Sequence, residues 1–227
     1  MTFVATLQIG ASNAGRYAPA EGRLVPGMVG GASSRYIALA EATTLSQWAR
    51  SLGWNGQDPL VVVAWSAGAF AVRTWLNRGD DRAIPRLGLL LLDGLHGGSN
   101  PGTCAPALMA GVLRFAQDAA ADPEARLLIN TSSAIVPPYS STGDCQAYLE
   151  GHVPRSPSVQ LYSYPGDDKA AHIAQVLEVG PGLMRRVVEP WLVTGVAPGQ
   201  GVSLVKVSVA VGVAAAIGYA AWVWATR

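Results

Sequence analysis

Short apolar runs alternate along the chain with stretches whose apolar residues recur every three or four positions. Residues 3–9 (FVATLQI) read as a strand, as do Leu60–Trp65, Leu87–Leu92, 126–130 (RLLIN) and 159–164. The central runs show no polar alternation, the pattern expected where both faces of a sheet are covered. Between them, 36–52 places Ile37, Leu39, Ala40, Leu45, Trp48, Ala49 and Leu52 at helical spacing, and Gly53 closes the segment. Residues 67–77, 105–121 and 170–192 also read as helices, the last interrupted at Pro181-Gly182. This alternation predicts an α/β fold: a doubly wound, mainly parallel five-stranded sheet with helices on both faces. In such sheets function gathers at the carboxyl ends of the strands.

The pattern changes near the end. Residues 197–201 (APGQG) predict a flexible joint after a body of residues 1–196, within a linker of 197–206. From 207 to 225 there is no charged residue, and a helix of that length spans roughly 28 Å, close to a bilayer's hydrocarbon core. Lys206 and Arg227 bracket it, and Trp222 and Trp224 sit near one end, where indoles favour the membrane interface. A single transmembrane anchor is therefore predicted for 207–225. Gly212, Ala216 and Gly218 add a small-residue spacing on it. The amino terminus lacks the basic region and long apolar run of a secretory signal, so the body is expected on the cytoplasmic side. A net charge of +1 gives no reason to expect a nucleic-acid partner.

Three strand tips carry candidate chemistry. Strand 60–65 runs into Ala64-Trp65-Ser66-Ala67-Gly68 and then a helix. A nucleophile exposed on such a turn needs small residues two before and two after it, which Ala64 and Gly68 supply. The N–H of Ala67, at the start of the helix, can hold a developing oxyanion. The run of four leucines ends at Asp93, in "DGLHGG". After the last strand, "GDDKAAH" places His172 at the start of a helix. The first strand leads into "IGASNAGRY", which nearly matches a phosphate-binding loop. Arg16 and Tyr17 replace its lysine and hydroxyl residue, so nucleotide binding is not expected. The loop's backbone N–H groups and the Ser12 hydroxyl remain available to an anion.

The order Ser66, Asp93, His172, each at or after a strand end, resembles the serine α/β-hydrolases, and the small size is similar to their cutinase-like branch. "DGLHGG" and "PPYSSTGDC" also resemble stretches in small α/β-hydrolase-like proteins of bacteria and their phages. The similarity covers residues 3–192. It implies Ser66 as nucleophile, His172 as general base, an acid orienting the imidazole, and an oxyanion hole from Ala67 N–H with Ser12. The commonest position of that acid is occupied here by Thr131-Ser132-Ser133, so the acid is expected at Asp93, with Asp144 as the alternative. Asp167 and Asp168 instead suit capping of the histidine's helix.

The implied activity is a membrane-anchored serine hydrolase cleaving an ester or amide of a small or lipid-like acyl substrate. Acyl transfer by the same triad, and a non-catalytic interaction role on the same fold, stand as alternatives. No cofactor is expected, and three histidines without a cluster of acids or cysteines at ligand spacing give no metal site. Of the remaining histidines, His96 is expected near the pocket and His152 in solvent. Residues 27–34 (GMVGGASS) read either as a lid near the site or as an ordinary flexible loop. Cys104 and Cys145 fall in loops after neighbouring strands. A disulfide there would brace Asp144 and a cytoplasmic body would oppose it, so their pairing stays open. Asn130-Thr131-Ser132 matches a glycosylation sequon by chance at a strand end.

Overall fold

The computed structural model describes residues 1–97, 104–133, 142–164, 166 and 169–199. Among these, six strands form one parallel sheet: β1 (Thr2–Leu7), β2 (Gly22–Pro26), β3 (Leu60–Trp65), β4 (Leu87–Leu92), β5 (Arg126–Ser132) and β6 (Val159–Ser163). Their order is β2-β1-β3-β4-β5-β6. The direction of winding reverses between β1 and β3, which opens a crevice at their carboxyl ends. The sheet has one strand more than the five predicted. The addition, β2, is a half-exposed edge strand of sequence GRLVP. It carries too few apolar residues to stand out, and Pro26 is tolerated because it lies at an edge.

Strands β3 and β4 are buried at every residue. Val62, Ala64, Leu89 and Leu91 face one layer, with Trp48, Trp75 and Phe115. Val61, Val63, Leu90 and Leu92 face the other, with Met184, Val188 and Trp191. Burying one such aliphatic side chain contributes about 1.5–3 kcal/mol, so an uninterrupted apolar strand is driven to the centre of the sheet.

The first layer is built from α2 (Ser33–Ala42), α3 (Leu45–Ser51), α4 (Gly68–Arg78) and α5 (Pro106–Ala121), after a short α1 (Ala11–Ala14) that follows β1. The single helix predicted over 36–52 is two. Thr44 breaks it by capping α3: its hydroxyl accepts from Gln47 N–H while the Gln47 side chain accepts from Thr44 N–H. Such a cap is worth about 1 kcal/mol and competes with continuation of the helix. Helix α6 (Thr142–His152) precedes β6.

The second layer is continuous helix over 169–194. It comprises α7 (Lys169–Ala174), a π turn (Gln175–Val179), α8 (Gly180–Leu183), a second π turn (Met184–Val188) and α9 (Glu189–Thr194). The expected interruption at Pro181 is absorbed because a wider turn precedes it. Gly180 N–H bonds back to Gln175 O, and Pro181, which has no N–H to give, falls in the first turn of α8.

The stretch 27–34 is bonded to its surroundings at Gly27, Met28 and Gly30. Gly27 N–H and Gln8 N–H bond across to Thr6 O and Met28 O, and the Tyr36 hydroxyl donates to Gly30 O. Where the joint was expected, Ala197 is buried and Pro198 O accepts from the Gln160 amide. Among the described residues no helix is long and apolar enough to cross a membrane. The predicted span, 207–225, lies outside them.

Candidate active site

Ser66 follows β3 directly and adopts φ 49°, a left-handed conformation that costs a non-glycine residue about 1 kcal/mol or more. The turn is held from three sides. Ser66 N–H donates to Leu92 O at 3.0 Å, tying it to the end of β4. A methyl group on Gly68 would come within 2.8 Å of Leu7 O, so α4 starts hard against the tip of β1. A methyl on Gly94 would lie 2.7 Å from Ser66 O and 2.6 Å from Ala69 Cβ. The chain leaving β4 therefore packs directly on the serine's turn. The N–H groups of Ala67 and Gly68 have no hydrogen-bond partner among the described residues. They begin an eleven-residue helix, an arrangement suited to a developing negative charge.

Asp93 occupies the corresponding tip of the next strand and is also left-handed, at φ 48°. Its side chain is fully buried. Four donors surround it. Oδ1 accepts from Ser133 N–H at 2.8 Å and from the Thr142 hydroxyl at 2.6 Å. Oδ2 accepts from the Ser133 hydroxyl and from His172 Nδ1 at 2.8 Å. Burial pushes the carboxyl up, but the hydrogen bond and charge of His172, with the bonds from Ser133 and Thr142, outweigh it and hold Asp93 below its ordinary value. Asp93 is thus an ionised acceptor, so the proton between it and the imidazole sits on Nδ1. The other ring nitrogen, Nε2, is left free to accept a proton.

His172 lies on α7 and is only 16 % exposed. Trp65, the neighbour of Ser66, holds it twice. The indole N–H donates to His172 O at 3.1 Å, and the two rings lie 5.0 Å apart, tilted by 31°. No hydrogen bond joins Ser66 Oγ to the imidazole in this conformation. Such contacts often close only when substrate is bound.

The structure thus brings Asp93 to His172, and His172 to the residue beside Ser66. Asp144 sits in the first turn of α6, and the carboxylate bonded to His172 is Asp93. Asp167 and Asp168 lie outside the described residues. Ser12 is exposed on α1, with no hydrogen bond to Ser66 or Ala67. The near-phosphate-loop residues have a structural use: Arg16 donates to Leu177 O and the buried Tyr17 hydroxyl to Val176 O, pinning the turn after α1 (Gly15–Tyr17) to the second layer. His96 is buried against Phe70, their rings 6.0 Å apart. His152 is exposed and bonds Tyr148 O. Asn130 is fully buried, which closes the apparent sequon. Cys104 and Cys145 are free thiols. Among the described residues no three acids, histidines or cysteines come together as metal ligands.

Three contributors escaped sequence reasoning: Ser133 and Thr142, which hold the acid, and Trp65, which holds the histidine. One of them, Ser133, had a visible signal. The hydroxyl run Thr131-Ser132-Ser133 occupies the tip of β5 where an acid was first sought, and it serves the acid one strand away. No known protein-family model matches the chain, and no curated protein is significantly similar to it in sequence.

Proposed function

We propose that the protein is a serine hydrolase of α/β-hydrolase type, acting on a carboxylic ester or amide. The observation that carries this is the Asp93–His172 pair set beside a left-handed Ser66 on adjacent strand tips. In this reading Ser66 Oγ attacks the acyl carbon while His172 Nε2 takes its proton. Asp93 stabilises the imidazolium, and Ala67 N–H holds the oxyanion. The imidazolium returns the proton to the leaving alcohol or amine. Water, activated by the same nitrogen, then releases the acyl group from Ser66. The uncharged stretch 207–225 is proposed as the membrane anchor, on its length and flanking residues.

One observation favours a second reading, a non-catalytic role: the serine–imidazole hydrogen bond is not made. A fluorophosphonate probe separates the two. The full chain in detergent should be labelled on Ser66, and Ser66→Ala and His172→Ala should not be, while Asp144→Asn labels like wild type. Equal labelling of wild type and Ser66→Ala would sink the hydrolase reading.

A further inference from the structure

The two cysteines form a site of their own behind the acid. Cys104 stands just ahead of α5 and is half-buried, whereas Cys145 is buried on α6. A methyl group placed on Gly97 would fall 2.5 Å from Cys145 Sγ and 2.9 Å from Cys104 Sγ, so both sulfurs flank one backbone position. Gly97 belongs to the segment leaving β4, four residues beyond Asp93. The third member is Arg73 of α4, buried to 9 % exposure. Its guanidinium donates to His96 O and lies 4.6 Å over the Phe70 ring, and among the described residues no carboxylate pairs with it. A buried cation beside two thiols favours a thiolate there. Burial pushes the Arg73 guanidinium below its ordinary value, against the charges of Cys145 and Cys104.

We propose that Cys104 and Cys145 are a redox pair whose disulfide clamps α6 to the residues just ahead of α5. Cys104, the more accessible sulfur, attacks an external disulfide such as oxidised glutathione. One glutathione thiolate leaves, and a mixed disulfide remains on Cys104. Cys145, having lost its proton to solvent, attacks the Cys104 sulfur and displaces the second glutathione as thiolate. The chain's two thiols are oxidised and one external disulfide is reduced to two thiols.

The chemistry is ordered by the surroundings. The hydrogen bond from Cys145, together with Arg73 and against burial and Asp144, holds the Cys104 thiol below its ordinary value, so it reacts first. Cys145 is pushed up by that hydrogen bond, burial and the negative charge on Cys104. The mixed disulfide removes that charge, and Arg73 then favours the second thiolate. The clamp bears on the candidate site through α6: Thr142, three residues before Cys145, gives Asp93 one of its four hydrogen bonds. This last link rests on the proposed hydrolase function, whereas the bond itself does not.

The test is made on the full chain in detergent, folded, with oxidised glutathione. Wild type should lose two free thiols and two hydrogens in mass, and a digest should join the peptides of Cys104 and Cys145. Its thermal midpoint should rise by roughly 5 °C or more. Cys145→Ser should instead keep one glutathione on Cys104. Retention of both free thiols in wild type, or separate capping of each, would overturn the proposal. A crosslink without fluorophosphonate labelling would leave the clamp standing and remove the hydrolase reading alone.

Discussion

Asp93 receives more hydrogen bonds than any other side chain described in the candidate site, and its energetics set what substitutions there should do. Asn in its place keeps the shape but can offer an N–H where the imidazole needs an acceptor. The ring would turn to the wrong tautomer, and fluorophosphonate labelling of Asp93→Asn should slow about 10³–10⁴-fold with little change in secondary structure. Thr142→Val removes one donor to a buried charge and should cost about 1.5–3 kcal/mol in urea unfolding. The carboxyl titrates lower in the folded chain than its ordinary 3.8. Its contribution to stability is therefore complete above about pH 4 and is lost as the pH falls through the folded value. The stability gap between wild type and Asp93→Asn should accordingly narrow from pH 5 to pH 3 in denaturant titrations. A gap that widened on acidification would contradict the charged, hydrogen-bonded state of Asp93. The left-handed backbone is concentrated in the same region. The non-glycine residues with positive φ among those described are Gln8, Ser66 and Asp93, at the tips of three adjacent strands. None of these angles could be read from residue type.

Elements were legible where burial acts on both faces, and less so where it acts on one. Strands β3 and β4 were bounded correctly because an unbroken apolar run has only the middle of a sheet to occupy. The edge strand β2 was missed because half its surface meets water and its sequence is mixed. The division of 36–52 into two helices turned on one hydroxyl, that of Thr44, inside a pattern that periodicity read as continuous. The π turns on either side of α8 were illegible for another reason. Each stands directly ahead of a helix with a proline in its first turn, Pro181 in α8 and Pro190 in α9, and a sequence shows the proline but not the wider turn before it. At this scale the elbow is a matter of clearance. Gly68→Ala would drive a methyl group to 2.8 Å from Leu7 O, and should lower stability by about 1–3 kcal/mol in chemical denaturation while pushing α4 off β1. Ala64→Gly creates no such conflict and should leave labelling unchanged.

Taken as a whole, the sheet order explains why residues so far apart in sequence meet. Asp93 and His172 are 79 positions apart, yet parallel strands return every chain crossing to the same edge. The order Ser66, Asp93, His172 was therefore readable once the strands were placed. The supporting groups were not, because Ser133 and Thr142 reach Asp93 from neighbouring elements whose spacing in sequence carries no hint of contact. Every hydrogen bond described for the site comes from residues between Trp65 and His172, so a chain ending at Gly199 should fold and react with fluorophosphonate like the full one. Loss of labelling on that truncation would show that residues 200–227 take part in the site.

The position of Pro198 has a geometric consequence. Arg86 donates to Leu192 O, Trp191 to Pro123 O and Gln160 to Pro198 O, so the chain before the tail runs along the amino ends of β4, β5 and β6. Ser66 and Asp93 lie at the opposite pole. The described chain thus ends at the pole away from Ser66 and Asp93, so the tail proposed as an anchor would leave the body on the side opposite the candidate site.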